Sequence, residues 1–231
     1  MKTIGLLGGM SWESTLSYYQ KINQGINKNL GGLSSAKICF YSVDFDEIEK
    51  LQHPGDWDTT AKILSKAAQS IEAGGADFLL ICTNTMHKVS DAINNAINIP
   101  LLHIADATAE QLQKDKITKV GLLGTKFTME QDFYKTRLTD KFNIDVIVPK
   151  AKDREIIHQV IYQELCLGKI ENSSKQQYLS IIKELHQNGA QAVILGCTEI
   201  ALLVNQHDTD VLLFDTTAIH AQAAIELATS K

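Results

Sequence analysis

Four cysteines, Cys39, Cys82, Cys166 and Cys197, stand far apart in 231 residues, with no Cys-x-x-Cys pair and no Cys/His cluster at zinc-ligand spacing. A chain of this length needs no disulfide framework, and the spacing argues against a structural metal and suits a reducing compartment. No apolar run approaches the length of a membrane span, and Met1-Lys2-Thr3 leads straight into a short strand-like run broken by glycines, unlike a signal peptide. A soluble cytoplasmic protein is expected. The net charge is −5 and no basic cluster stands out, so neither nucleic acid nor a membrane surface is expected as a partner, and a small molecule is. No low-complexity linker divides the chain, so its parts should touch closely.

What the chain does have is the same phrase twice. Gly75-Ala76-Asp77-Phe78-Leu79-Leu80-Ile81-Cys82-Thr83-Asn84-Thr85 is echoed by Gly189-Ala190-Gln191-Ala192-Val193-Ile194-Leu195-Gly196-Cys197-Thr198-Glu199, and Ile4-Gly5-Leu6-Leu7-Gly8-Gly9 by Val120-Gly121-Leu122-Leu123-Gly124-Thr125. Two echoes at nearly one separation predict two homologous halves, with a site in the cleft between them.

Short Ile/Val/Leu runs alternate with longer helical patterns, which predicts an α/β fold with buried parallel strands and crossover helices. Strands are expected at 3–7, 37–44, 77–82, 101–103, 119–123, 144–148, 191–195 and 211–214. Helices are expected at 12–29, 57–73, 85–97, 106–114, 129–141, 153–167, 173–188 and 198–205, with a last one at 217–228. The domains expected are 1–100 plus 215–231, and 101–214, the chain leaving the first near Asn98-Ile99-Pro100.

In the register of the repeat, Cys197 falls opposite Thr83, each where a strand turns into a helix. A helix N-terminus favours thiolate over thiol, so Cys197 is the leading candidate for a base or nucleophile. Its bland alternative is a buried cysteine acting as a small hydrophobe. Thr83 and Thr85 have the alternative of merely capping the next helix. Cys82 should point away from the space Thr83 faces, because strand side chains alternate, and reads as core. Gly5-Leu6-Leu7-Gly8-Gly9-Met10-Ser11 matches neither the dinucleotide fingerprint nor the P-loop, so a nucleotide is poorly supported, while Met10 and Ser11 would line a crevice outside the strand ends. His87, one turn beyond Thr83, reads as a supporting hydrogen-bond partner, and His103 and His158 have no partner the sequence names.

At these residues the chain resembles the cofactor-independent aspartate/glutamate racemase superfamily. The opening Gly5-Leu6-Leu7-Gly8-Gly9-Met10-Ser11-Trp12-Glu13-Ser14-Thr15 is similar to its aspartate racemase branch, as is Phe214-Asp215-Thr216-Thr217-x-Ile219-His220-Ala221. The family's Cys-Asn-Thr-x-His and Gly-Cys-Thr-Glu read here as Thr83-Asn84-Thr85-Met86-His87 and Gly196-Cys197-Thr198-Glu199. Threonine at the first position resembles the L-aspartate/glutamate-specific or broad-range racemases of enterobacterial type.

The resemblance implies two-base racemisation without pyridoxal phosphate or metal, by a homodimer. Cys197 would act on the L-enantiomer, and Thr83, a far weaker acid than a thiol, would serve the D-side as a donor or relay. Asn84, Thr85, Thr125 and Thr198 would surround the α-carboxylate, with Glu199, Met10 and Ser11 also lining the ligand. Gln52 and Lys169 resemble positions that reach the substrate side chain. Two other readings stand beside this one: a decarboxylase or isomerase of a small dicarboxylate using one cysteine, and a ligand-binding homologue without turnover.

Overall fold

The computed structural model describes residues 1–230, which divide into two compact units, Met1–Ile104 with His220–Ser230, and Ala105–Ile219. In the first, β1 (Ile4–Gly8) leads through α1 (Trp12–Leu30) to β2 (Ile38–Ser42), and α2 (Phe45–Gln52) and α3 (Trp57–Ala73) lead to β3 (Phe78–Ile81). A short 3-10 helix (Thr85–Val89) and α4 (Ser90–Asn95) then reach β4 (Leu101–Leu102). The sheet is parallel in the order β2-β1-β3-β4, with Leu7 beside Ile81.

The second unit repeats the plan. After α5 (Ile104–Lys114) come β5 (Lys119–Gly124), α6 (Lys126–Glu130), α7 (Asp132–Phe142) and β6 (Asp145–Ile147). Then follow α8 (Ala151–Gln163), a 3-10 turn (Leu165–Leu167), α9 (Asn172–Gln187), β7 (Ala192–Gly196), α10 (Ile200–Leu203) and β8 (Leu212–Asp215), before α11 (Thr216–Thr229). Its parallel order is β6-β5-β7-β8.

Strand alternation builds the core. Leu7, Leu79 and Ile81 pack with Leu64 and Ile71 of α3, while Leu6, Phe78, Leu80 and Cys82 pack with Tyr18 and Ile22 of α1 and Ala224 and Ile225 of α11. In the second unit Leu123, Val193, Leu195 and Cys197 share a cluster with Ile157 of α8 and Tyr178 and Ile182 of α9. Sheets covered on both faces suit continuous apolar strands, and all eight expected strands are present as an α/β fold. No helix among the described residues is long and apolar enough to cross a membrane.

The helices depart from the expected pattern where local capping intervenes. The run 129–141 is two helices, because Thr125 caps α6 and Gln131 takes an extended conformation between α6 and α7. The run 153–167 ends at Gln163, and Gly168 closes the 3-10 turn after it in the left-handed region, at φ 69°. The run 198–205 holds a helix of only four residues, and α2, capped by Asp44, was not expected at all. Leu101–Leu102 pairs with β3, so the chain passes to the second unit after Ile104 and not at Pro100; it returns before His220.

Candidate functional site

The sequence-selected residues gather in each unit at the carboxyl ends of neighbouring strands, where open parallel sheets bind ligands. In the first unit these are Met10 and Ser11 after β1, and Thr83, Asn84 and Thr85 after β3. Met10, Ser11, Asn84 and Thr85 are buried, and Thr83 is half-buried. Ser11 caps α1, its hydroxyl accepting from the Ser14 amide and its carbonyl accepting from the Ser14 and Thr15 hydroxyls. The Thr83 carbonyl meets His87 Nδ1 at 2.8 Å, and the His87 amide donates to the Asn84 carbonyl, which winds the chain into its tight turn. Gln52 is buried at the end of α2.

In the second unit Thr125 follows β5, and Cys197, Thr198 and Glu199 follow β7. All four are buried. Thr125 caps α6 by accepting from the Thr128 amide. Gly196 is required by close packing, since a Cβ there would lie 2.7 Å from the Leu123 carbonyl oxygen of the neighbouring strand. The Thr216 hydroxyl donates to the Leu195 carbonyl at 2.9 Å, bracing the end of β7 from β8's side. Lys169 is exposed on the loop after Gly168.

The electrostatics of Cys197 correct the sequence expectation of a thiolate. Its Sγ donates to Glu199 Oε2 at 2.9 Å, and the Thr198 hydroxyl donates to the same oxygen at 2.8 Å. Burial first, then the Glu199 carboxylate, push the thiol's pKa well above its ordinary value. The helix-end argument fails because α10 begins three residues later and makes barely one turn, too little macrodipole to offset desolvation and a carboxylate in contact. Resting Cys197 is therefore a thiol whose proton already points at an acceptor. Cys82 behaves as expected of a core residue: it is fully buried in the α1 and α11 cluster, and desolvation drives its pKa far up.

Sequence reading left three histidines unconnected that the first unit brings together. His87, His103 and His220 are all buried, with ring centroids 4.4 Å apart for His87 and His103 and 6.1 Å for His87 and His220. The signal available was the position of His220 in the closing motif, but nothing local linked it to His103. Thr217, in the first turn of α11, is also buried, with a hydroxyl that meets no hydrogen-bond partner. Among the described residues no group of three His, Cys, Asp or Glu side chains is placed to hold a metal ion.

Comparison with known proteins adds to this geometry. The family model described as Asp/Glu/Hydantoin racemase matches residues 7–224. A broad specificity amino-acid racemase, RacX, from Bacillus subtilis is 23% identical over 233 residues, covering 96% of each chain. Among solved structures, a candidate Asp/Glu racemase from Yersinia pestis is 57% identical with a TM-score of 0.93, and both chains are covered completely. An aspartate racemase homologue from Pyrococcus horikoshii is 38% identical with a TM-score of 0.85, again over the whole of both chains.

Proposed function

The chain belongs to the Asp/Glu/hydantoin racemase family and is an amino-acid racemase, and from that premise we propose that it interconverts the L- and D-forms of aspartate, glutamate or a broader set of amino acids without a cofactor. The observation that carries the reading is the Cys197 thiol hydrogen-bonded to Glu199 at one strand end, with Thr83 at the equivalent end of the repeated sheet.

In the proposed reaction Glu199 accepts the Cys197 proton as the ligand binds, and the thiolate takes the α-proton of the L-enantiomer. The C–H electron pair stays on the ligand, delocalised into its α-carboxylate. Hydroxyl and amide donors of Asn84, Thr85, Thr125 and Thr198 stabilise that charge. Thr83 delivers a proton to the opposite face as a relay, taking one from water as it gives one up, because a free alkoxide would be too costly. In the reverse direction hydroxide takes the Thr83 proton as the Thr83 oxygen takes the α-proton of the D-enantiomer, and the Cys197 thiol, protonated at rest, gives its proton to the other face and regains one from Glu199, so that the hydroxide formed in one direction is consumed in the other. Gln52 and Lys169 are assigned to the ligand's side chain by the family resemblance, and a neutral amide at 52 suits a mixed range of substrates better than a pair of arginines would.

Enantiomers have equal free energy in water, so kcat/KM must be equal in the two directions. Any one-way appearance lies in the split between kcat and KM. The test is α-proton exchange in D2O by NMR, with chiral chromatography, over L- and D-aspartate, glutamate and homoserine, with Cys197→Ser as control. Exchange with inversion that the variant loses supports the reading. Loss of α-carboxylate without inversion would replace it with a decarboxylase, and binding without exchange with a ligand-binding homologue.

We also propose that the protein works in the cytoplasm, where its four free cysteines stay reduced, and as a homodimer. Trp12, Leu16 and Tyr19 form an exposed uncharged face of α1 beside Phe40 on the edge strand β2. They expose roughly 500 Å² between them, most of one partner's share of a standard interface. A monomeric mass by light scattering would remove this proposal.

A further inference from the structure

His87 makes two hydrogen bonds whose partners have fixed roles. A carbonyl can only accept, so the 2.8 Å contact to the Thr83 oxygen requires a proton on Nδ1. The Ile104 backbone N–H can only donate, so the 3.2 Å contact from it requires a bare Nε2. One neutral tautomer satisfies both, and imidazolium would set N–H against N–H.

The neighbours are fixed in the same manner. The Leu102 carbonyl accepts from His220 Nε2 at 2.8 Å, which leaves Nδ1 to accept from the Tyr18 hydroxyl, also at 2.8 Å. His220 and Tyr18 are fully buried, and burial lowers the His220 pKa to about 4, in keeping with a neutral ring. The His103 ring lies edge-on to His87.

Position in the chain gives the cluster its meaning. The chain leaves the first unit after Ile104 and re-enters it at His220. His103 and Ile104 sit at the first crossing and His220 at the second, and His87 ties the first to Thr83, in the turn just past β3. We propose that His87 is a positioning residue: locked as its Nδ1–H tautomer, it fixes the backbone of Thr83 against the chain crossing at Ile104 and so sets where the Thr83 hydroxyl stands. This rests on the reading that Thr83 serves one face of the ligand.

Two substitutions separate the two hydrogen bonds. In His87→Asn the side-chain amide nitrogen reaches the place of Nδ1 and can keep the Thr83 contact. In His87→Gln the longer amide reaches the place of Nε2 and can keep the Ile104 contact, losing that to Thr83. Both lose ring packing and both should lower the Tm. The proposal expects the asparagine variant to keep kcat within about threefold of wild type and the glutamine variant to lose at least about tenfold, a part of the roughly 100- to 10,000-fold that one proton-transfer group contributes, with KM nearly unchanged. It also expects the glutamine variant to raise the primary deuterium isotope effect on α-deuterated D-substrate and to lower that on α-deuterated L-substrate, since the loosened Thr83 step is the deprotonation in one direction and the reprotonation in the other. Equal losses in the two variants that follow Tm, with no change in either isotope effect, would reduce His87 to a structural residue and overturn the inference alone. Wild-type protein without α-proton exchange on any amino acid would remove the racemase reading and the inference with it. Nitrogen-15 shifts of His87 showing a protonated Nε2 would overturn the inference while leaving that reading intact.

Discussion

The strand ends after β3 and β7 are the same piece of architecture carrying opposite chemistry. Both leave the second of two central parallel strands, in registers that pair Leu7 with Ile81 and Leu123 with Leu195. After β7 come Cys197, Thr198 and Glu199, where the side chains bond to one another: thiol and hydroxyl both donate to one carboxylate oxygen. After β3 come Thr83, Asn84 and Thr85, where it is the backbone that is held, by a neutral histidine on the Thr83 carbonyl. One end holds a proton that can be moved, and the other holds a geometry. A duplicated fold can thus keep its sheets unchanged while the short segment after each strand is held in a different way, and the proposed two-sided reaction would draw on that difference.

The sharpest break in that comparison is Glu199→Gln. Glutamine keeps the volume and an oxygen that accepts from Thr198, but it cannot take a proton from Cys197 at neutral pH. Turnover in both directions should fall on the order of 100-fold, the contribution of a general base, with KM within about twofold. The carboxylate is also the second cause of the raised Cys197 pKa, so the variant's thiol should titrate below that of wild type while burial keeps it above a free cysteine. Alkylation of Cys197 followed by mass spectrometry across pH reads this directly. Unchanged kcat would leave Glu199 as a mere hydrogen-bond acceptor.

A smaller effect falls on stability. His220 has a folded pKa of about 4 against an ordinary 6.5, so between those values the unfolded chain binds a proton that the folded one refuses. Stability therefore rises with pH through this window. It is fully present above about pH 6.5 and declines as the pH falls toward 4, a loss of about 2 kcal/mol from this group between pH 7 and 4.5. Urea unfolding of wild type and His220→Gln at the two pH values checks the sign. The variant should be weaker at pH 7 and should lose less on acidification.

The sequence carried the strands because strands buried on both faces are continuous apolar runs bounded by glycine, as in Phe78–Ile81 after Gly74-Gly75. The helix breaks were hidden because they depend on single caps: Thr125 and Gln131 divide a run whose apolar spacing looks unbroken. At the site, the register of the repeat gives Thr83 and Cys197 equivalent places, each two residues past a strand residue paired with its neighbour, Ile81 with Leu7 and Leu195 with Leu123. The protonation state of Cys197 was not readable, since the positive helix end is local and visible while burial and the reach of Glu199 are tertiary. His103 and His220 were opaque for the same reason, lying at the two chain crossings and meeting only through the folded sheet.

The smallest expected effect tests the comparison most directly, because it makes the two ends alike. In Thr83→Cys a thiol replaces the hydroxyl, but the residue two places on is Thr85, where the other end has Glu199. Thr83 is also half-buried where Cys197 is buried. The new thiol has neither the carboxylate nor the full desolvation that raise Cys197, so it should titrate nearer the ordinary cysteine value of about 8.5. D-side kcat should rise roughly three- to tenfold between pH 7 and 9, following the thiolate fraction, while kcat/KM remains equal in the two directions because the equilibrium constant cannot change. Chiral chromatography of initial rates from each pure enantiomer gives both. If D-side turnover stays where it was, the hydroxyl was never the slow group, and the asymmetry between the two strand ends lies in how each is held rather than in which atom carries the proton.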